Sequence, residues 1–239
     1  MITPGIITYS QIANFERTQP FSVESWLYHP TVSSSATNGN IACRLDATIP
    51  EHRGWMWYIS SSRRLGFVLA SNETTGNFLH VRTAVNIFAF LSWTHIVVTY
   101  TGNSLASGVK CYVNNSLKVL SIVSNTLTDT ILNKSPFNSG GYSLMNGYAK
   151  ANFDELTIYD RVLSAAEVSQ RYNGGAGTEN LFGPAYLQYH LNESSGSVVA
   201  DSSGNSRHAI TRNAPTWMAG KLNNCLSFNG VNQDLIGVE

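Results

Sequence analysis

Two tryptophans at i and i+2, Trp55 and Trp57, are the residues of this chain best suited by type and spacing to hold a sugar. In an extended backbone they share one face, with Met56 and Tyr58 on the other. Flat aromatic rings accept the apolar C–H face of a pyranose. Trp55, Trp57 and Tyr58 are therefore the candidate ligand-binding residues, although the same two indoles fit a β-sandwich interior equally well. A different chemistry is written in Asp201-Ser202-Ser203-Gly204-Asn205, which packs carboxylate, amide and backbone oxygens into one tight turn. Hard Ca²⁺ prefers such donors, yet the same residue types make an Asx-turn without any metal. No Ser-His-Asp spacing, phosphate-cradling glycine loop or metalloprotease helix is present in the sequence. His95, alone in an apolar stretch, reads as a satisfied structural histidine.

Composition narrows the field further. Hydrophobic residues make up 43% of the 239 and charged residues only 13%, the profile of a globular chain with a weakly charged, polar surface. Fifteen basic residues balance fifteen acidic ones, so no basic stripe exists to meet phosphates and nucleic acid is not an expected partner. No apolar run approaches the roughly 20 residues of a membrane helix, so membrane insertion is not expected either. The opening MITPGIITYS shows no basic region followed by a long apolar one, and no signal peptide is visible. Cys43, Cys111 and Cys225 all sit in apolar, strand-like contexts and read as buried thiols. Zinc is not expected, because no paired Cys or His spacing occurs.

The elements that would position these groups are mostly strands. Residues 1–20 form a β-like lead-in. Phe21–Tyr28 alternates apolar and polar, as a half-buried strand does. Ile41–Leu45, Trp55–Ile59, the hairpin Leu65–Ala70/Phe78–Arg82, Trp93–Tyr100 and Val109–Val113 continue the pattern. Pro50–Gly54 reads as a turn, as does Asn114-Asn115. Residues 121–146, rich in Asn, Ser and Thr, read as loops. Phe153–Tyr159 is a further strand, after which Ser164 and Glu167 have the spacing of a capping box. The short helix they open, near 163–173, ends at Gly174-Gly175, where glycine admits a left-handed cap.

The string DELTIYDRVLSAAEV at 154–168 resembles the closing signature of laminin-G-like jelly rolls, within the concanavalin A-like lectin/glucanase group. WTHIVVTY at 93–100, GVKCYVNN at 108–115, DSSGN at 201–205 and LSFNG at 226–230 resemble the same family. The resemblance implies an all-β fold, a two-sheet antiparallel jelly-roll sandwich with one short helix, and places Trp26 in its core. It also implies an unusual order, because residues 186–239 look like the front of such a domain although they come last. We read 1–239 as one circularly permuted sandwich: 1–175 as body, 176–185 as linker, and 186–239 as strands completing it, in cis or by exchange with a neighbouring subunit. A lone half-sandwich would leave long sheet edges open to association, and jelly-roll ends lie close enough for permutation.

Relatives that hold a structural calcium near the oxygen-rich turn and the closing-strand acid imply Asp154, Asp201 and Asn205 as its ligands here. Glycoside cleavage needs two carboxylates flanking the scissile bond, and the Glu-x-Asp-x-x-Glu run of laminarinase-like enzymes is missing. The resemblance thus implies a non-catalytic binding or adhesion module for glycans or for other surface proteins. Its carrier is expected to be a virion, as a phage capsid decoration, head-fibre or tail component. The alternative is a secreted or cell-surface carbohydrate-binding module of a bacterial protein, with a glycoside hydrolase a weaker third reading.

Overall fold

A computed structural model describes residues 11–30, 39–46, 52–142 and 147–238. Alternating side chains and β-branched or aromatic residues produce strands along almost the whole chain. They are β1 (Phe21–Tyr28), β2 (Gly39–Leu45), β3 (Gly54–Ile59), β4 (Leu65–Asn72), β5 (Asn77–Arg82), β6 (Trp93–Tyr100) and β7 (Val109–Val113). Shorter ones follow: β8 (Ser116–Lys118), β9 (Ser121–Asn125), β10 (Asn138–Ser139), β11 (Gly141–Tyr142) and β12 (Gly147–Tyr148). Next come the long β13 (Asn152–Tyr159) and the helix α1 (Ala165–Tyr172). The tail holds β14 (Leu187–Tyr189), β15 (Val198–Val199), β16 (Ala209–Arg212), β17 (Thr216–Ala219), β18 (Asn224–Ser227) and β19 (Asp234–Gly237).

Two antiparallel sheets make the sandwich. Sheet A runs β17-β18-β13-β1-β6-β7-β8, with β14 paired further along β13; sheet B runs β15-β16-β19-β10-β2-β3-β4-β5-β9. Within this chain the tail adds to the same side of both sheets, through β18 and β14 on β13 and through β19 on β10. Without it the backbone of β13, a strand buried along its whole length, would lose its partners on one side. Exchange between two copies would use the same edges.

Local signals account for the connections. Asn114 and Asn115 both adopt positive φ in the β7–β8 hairpin, as this residue type tolerates. At the start of α1, Ser164 Oγ accepts from the Glu167 backbone N–H at 3.2 Å, and Glu167 Oε2 accepts from the Ser164 N–H at 2.9 Å. The helix stops one residue earlier than the glycines predict, because Asn173 itself takes the left-handed conformation at φ 47°. The stretch 121–146 is not simply loop, since β9, β10 and β11 lie in it. These strands are short, and pairing with neighbours specifies them rather than any periodicity of their own. Residues 11–20 form turns instead of extending a β lead-in, and residues 1–10, 33–38 and 50–51 of the expected lead-in, loop and turn lie outside the described residues.

The interior corrects the expected sugar platform. Trp55 and Trp57 are each only 1% exposed and belong to the core between the sheets. Trp55 packs against Phe21 at 5.3 Å and donates its indole N–H to the Ala13 carbonyl at 2.8 Å. Tyr58, on the opposite face of β3, is 8% exposed among Cys43, Met56, Val68 and Ala70. Its hydroxyl is paired with His80 Nε2 at 2.9 Å. A strand in the middle of a sandwich sheet must turn one of its two faces inward, and here that is the tryptophan face. The three cysteines are free and buried, and burial pushes the thiols of Cys111 and Cys225 up to about 12.

Candidate functional site

Registers across sheet A stack its outward-facing side chains into rows. Tyr28 lies opposite Trp93 on β6 and Asn152 on β13; Trp26 lies opposite His95 and Asp154; Glu24 lies opposite Val97 and Thr157. A bulge between Glu24 and Trp26 keeps these rows on one face and twists the strand locally. Helix α1 and the chain after it cover the inner two rows and leave the first open.

The deepest row is an ion cluster. Arg171 of α1 donates from Nε to Glu24 Oε1 at 2.5 Å, and the Tyr159 hydroxyl donates to the same oxygen at 2.8 Å. Arg171 Nη1 reaches the carbonyls of Thr178 and Asn180, each at 2.9 Å, so one guanidinium fastens the connection after α1 to the sheet. Burial pushes the Glu24 carboxyl up, but Arg171, His95 and Tyr159 outweigh it and hold it below its usual range. Glu155 is equally buried and meets His190 Nδ1 at 2.8 Å, with Arg171 Nη2 at 3.7 Å. These carboxylates lie beneath covered surface.

The middle row is aromatic. Trp26 stacks on Tyr172 with ring centroids 6.0 Å apart and meets His95 at a tilt at 5.1 Å, and Lys221 Nζ sits 4.7 Å from the Trp26 ring. Trp26 is therefore buried as expected, although outside the sandwich interior. His95 is buried with Nε2 3.5 Å from Glu24 Oε2, while its Nδ1 has no hydrogen-bond partner among the described residues, so it is less fully satisfied than a structural histidine is expected to be.

The open row forms a cavity of about 250 Å³, lined among the described residues by Tyr28, Trp93, Asn152, Met218 and Ala219. The Tyr28 and Trp93 rings lie 5.5 Å apart at 49°, both partly exposed, and make an aromatic wall. Asn152 is buried at its floor; its amide N–H faces the Met218 sulfur at 3.4 Å, and its Oδ1 has no hydrogen-bond partner among the described residues. Among the described residues no carboxylate, histidine or thiol lines this cavity. The arrangement can hold a ligand with an apolar face and a hydroxyl rim.

The residues anticipated for calcium serve separate purposes. Asp201 accepts from the N–H groups of Gln188, Ser203 and Arg207 and from Ser203 Oγ, all at 2.8–3.0 Å. These four donors use the lone-pair directions of a carboxylate. Burial works against its charge, yet these donors hold the carboxyl below its ordinary value. Asn205 donates to the carbonyls of Ala185 and Tyr186, which completes a turn clasping β14. Asp154 instead accepts from the N–H groups of Lys221 and Leu222 at 2.7 and 2.8 Å, and burial raises it to about 7. The hydrogen bonds of Asp154 and Asp201 have no partner in common.

Tyr28, Trp93 and Asn152 were not singled out as site residues by their order in the chain. Aromatic residues at the last position of β1 and the first of β6 were visible, but their meeting depends on a register between strands far apart in sequence.

Residues 5–169 match the family model of the concanavalin A-like lectin/glucanases superfamily. Over 176 residues the chain is 26% identical to botulinum neurotoxin type X of Clostridium botulinum. That match takes in 70% of this chain and 12% of the toxin, so the chain spans about an eighth of that relative's length. A crystal structure of a Bacteroides ovatus protein proposed to bind carbohydrate superposes with a TM-score of 0.52 at 15% identity, over 90% of this chain and 53% of that one. The binding domain of Paraclostridial Mosquitocidal Protein 1 superposes with a TM-score of 0.49, also at 15% identity, over 93% and 69%. At 15% identity the likeness to the Bacteroides ovatus protein concerns the fold alone.

Proposed function

The chain belongs to the concanavalin A-like lectin/glucanases superfamily, and from that premise we propose that it is a non-catalytic binding module whose ligand is a glycan. One observation carries the reading: the Tyr28–Trp93 wall beside the buried Asn152 amide, in an open cavity that no carboxylate, imidazole or thiol lines among the described residues. A pyranose laid against the two rings buries its C–H face, while a hydroxyl donates to Asn152 Oδ1 once the flexible Met218 side chain moves aside. The unmet acceptor at the cavity floor supplies selectivity, because a ligand lacking that donor leaves it unpaired.

Screening the full chain on a glycan array, followed by calorimetry on the best ligand, tests this. Trp93→Ala is expected to weaken binding by about tenfold, the value of one lost aromatic contact of about 1.5 kcal/mol. Phe182→Ser, which alters an exposed aromatic elsewhere, is expected to leave it unchanged. Absence of any glycan ligand, or binding indifferent to both Trp93→Ala and Tyr28→Ala, would refute the reading.

We further place the module on a surface, that of a virion or of a bacterial cell, with the glycans or proteins of that surface as its partners. Co-purification with assembled particles supports the first carrier, and retention on cells the second.

A further inference from the structure

We propose that Glu155, Glu179 and His190 form a site for one divalent transition-metal ion of the zinc class. The inference is independent of glycan binding. One ligand atom from each residue lies within 4.8 Å of the other two. They come from three separate segments: the β13 bulge, the connection after α1 and the residue just past β14. The β13–β14 register, with Leu156 opposite Tyr189, brings His190 alongside Glu155.

The arrangement has the supporting contacts such a site needs. Glu179 Oε1 accepts from Asn192 Nδ2 at 2.8 Å and Asn223 Nδ2 at 2.6 Å, which orients the carboxylate. Gln188 Nε2 fixes the Glu179 backbone through its carbonyl at 2.9 Å. Such outer contacts hold ligands in place around a metal. His190 is about a quarter exposed and Glu179 partly so, which leaves an approach from solvent, whereas Glu155 is deep.

A second, independent observation comes from Asp154. This side chain is fully buried beside Glu155, and its Oδ1 has no hydrogen-bond partner among the described residues. A buried carboxylate oxygen left unpaired is costly, and a nearby cation offsets that cost. Asp154 adjoins Glu155 along β13, while the neighbouring guanidinium of Arg171 is engaged chiefly by Glu24.

The donor set selects the ion class. One imidazole nitrogen and two carboxylate oxygens suit Zn²⁺, Co²⁺ or Mn²⁺, with water in the remaining positions. Ca²⁺ takes six to eight oxygens and makes little use of imidazole. On binding, the ion replaces the proton that His190 Nδ1 shares with Glu155. It would tie the body strand β13 to the tail just past β14 and to the connection between them, so its role is to fasten the tail.

The test uses the full chain, stripped with EDTA and titrated with Zn²⁺ in a calorimeter and with Co²⁺ by visible absorption. One ion per chain is expected, with a tetrahedral or five-coordinate Co²⁺ spectrum and a raised melting temperature. Glu179→Gln and His190→Asn are each expected to weaken binding by at least about tenfold. His52→Ala, at a separate surface pair with Glu73, is expected to leave it unchanged. Glu179→Gln is partly exposed and preserves shape, so it reports even if His190→Asn fails to fold. Failure to bind Zn²⁺, Co²⁺ or Mn²⁺, or undiminished binding in the Glu179→Gln variant, overturns the proposal.

Discussion

Replacing Arg171 by Met removes the cation that holds the outer face of sheet A together. The guanidinium is 3% exposed, and the Glu24 carboxylate it meets at 2.5 Å is 1% exposed. Stranding one member of such a pair typically costs about 3–5 kcal/mol, because the remaining charge stays buried without its partner. The bonds to the Thr178 and Asn180 carbonyls go as well, and charge-assisted bonds contribute about 1.5–3 kcal/mol each, though not additively. We expect a loss of about 4 kcal/mol, which for a domain of this size lowers the melting temperature by about 10 °C. The double variant Glu24→Gln/Arg171→Met removes both charges and is expected to lose much less than the two single variants together. Acid narrows the gap. In the native protein the Glu24 carboxyl lies below its usual range, so its stabilisation is full above the unfolded value near 4.5 and fades as pH falls through the folded one. In Arg171→Met, burial is opposed only by His95 and Tyr159, so the Glu24 carboxyl moves up and the variant's deficit shrinks towards pH 4.5. Urea unfolding of all four proteins at pH 7 and 4.5 measures both effects. A loss below about 1 kcal/mol for Arg171→Met, or strict additivity in the double variant, would show that this account of the cluster is wrong.

Three further outcomes are expected. Burial, assisted by Arg82, lowers the His80 imidazole to about 4. The unfolded chain therefore binds a proton between about pH 6.5 and 4 that the folded one refuses, and acidification through that window removes about 2–3 kcal/mol. His80→Gln should flatten that part of the stability–pH curve, and an unchanged slope would assign it to another group. Trp57→Ala should lower stability by about 3–5 kcal/mol through the cavity it opens, whereas Trp93→Ala at the rim should cost far less. Equal losses in the two, read from denaturant midpoints, would contradict their assigned places. Ser164→Ala should cost about 1 kcal/mol by uncapping α1, and a change no greater than that of the loop variant Ser194→Ala would rule the capping box out as a contributor.

Local properties of the chain were legible in its order. The alternation in β1, β3, β6 and β13, the Asn-Asn turn, the capping box and the all-β class are short-range, and neighbouring residues express them without help. Trp55 and Trp57 could be placed on one face of a strand, because the side-chain period is 2. Which face lies inward is a property of the closed sandwich, and only packing against Phe21 and Phe137 decided it. The same limit hid the aromatic wall: Tyr28 and Trp93 meet through the β1–β6 register, set by strands with dozens of residues between them. Glu155, Glu179 and His190 carry no ligand spacing, since the β13 bulge and the cis pairing of the tail bring them together. A sequence pattern records what each residue prefers, whereas a site made from several segments depends on which edges pair, and long-range closure of the sheets alone determines that.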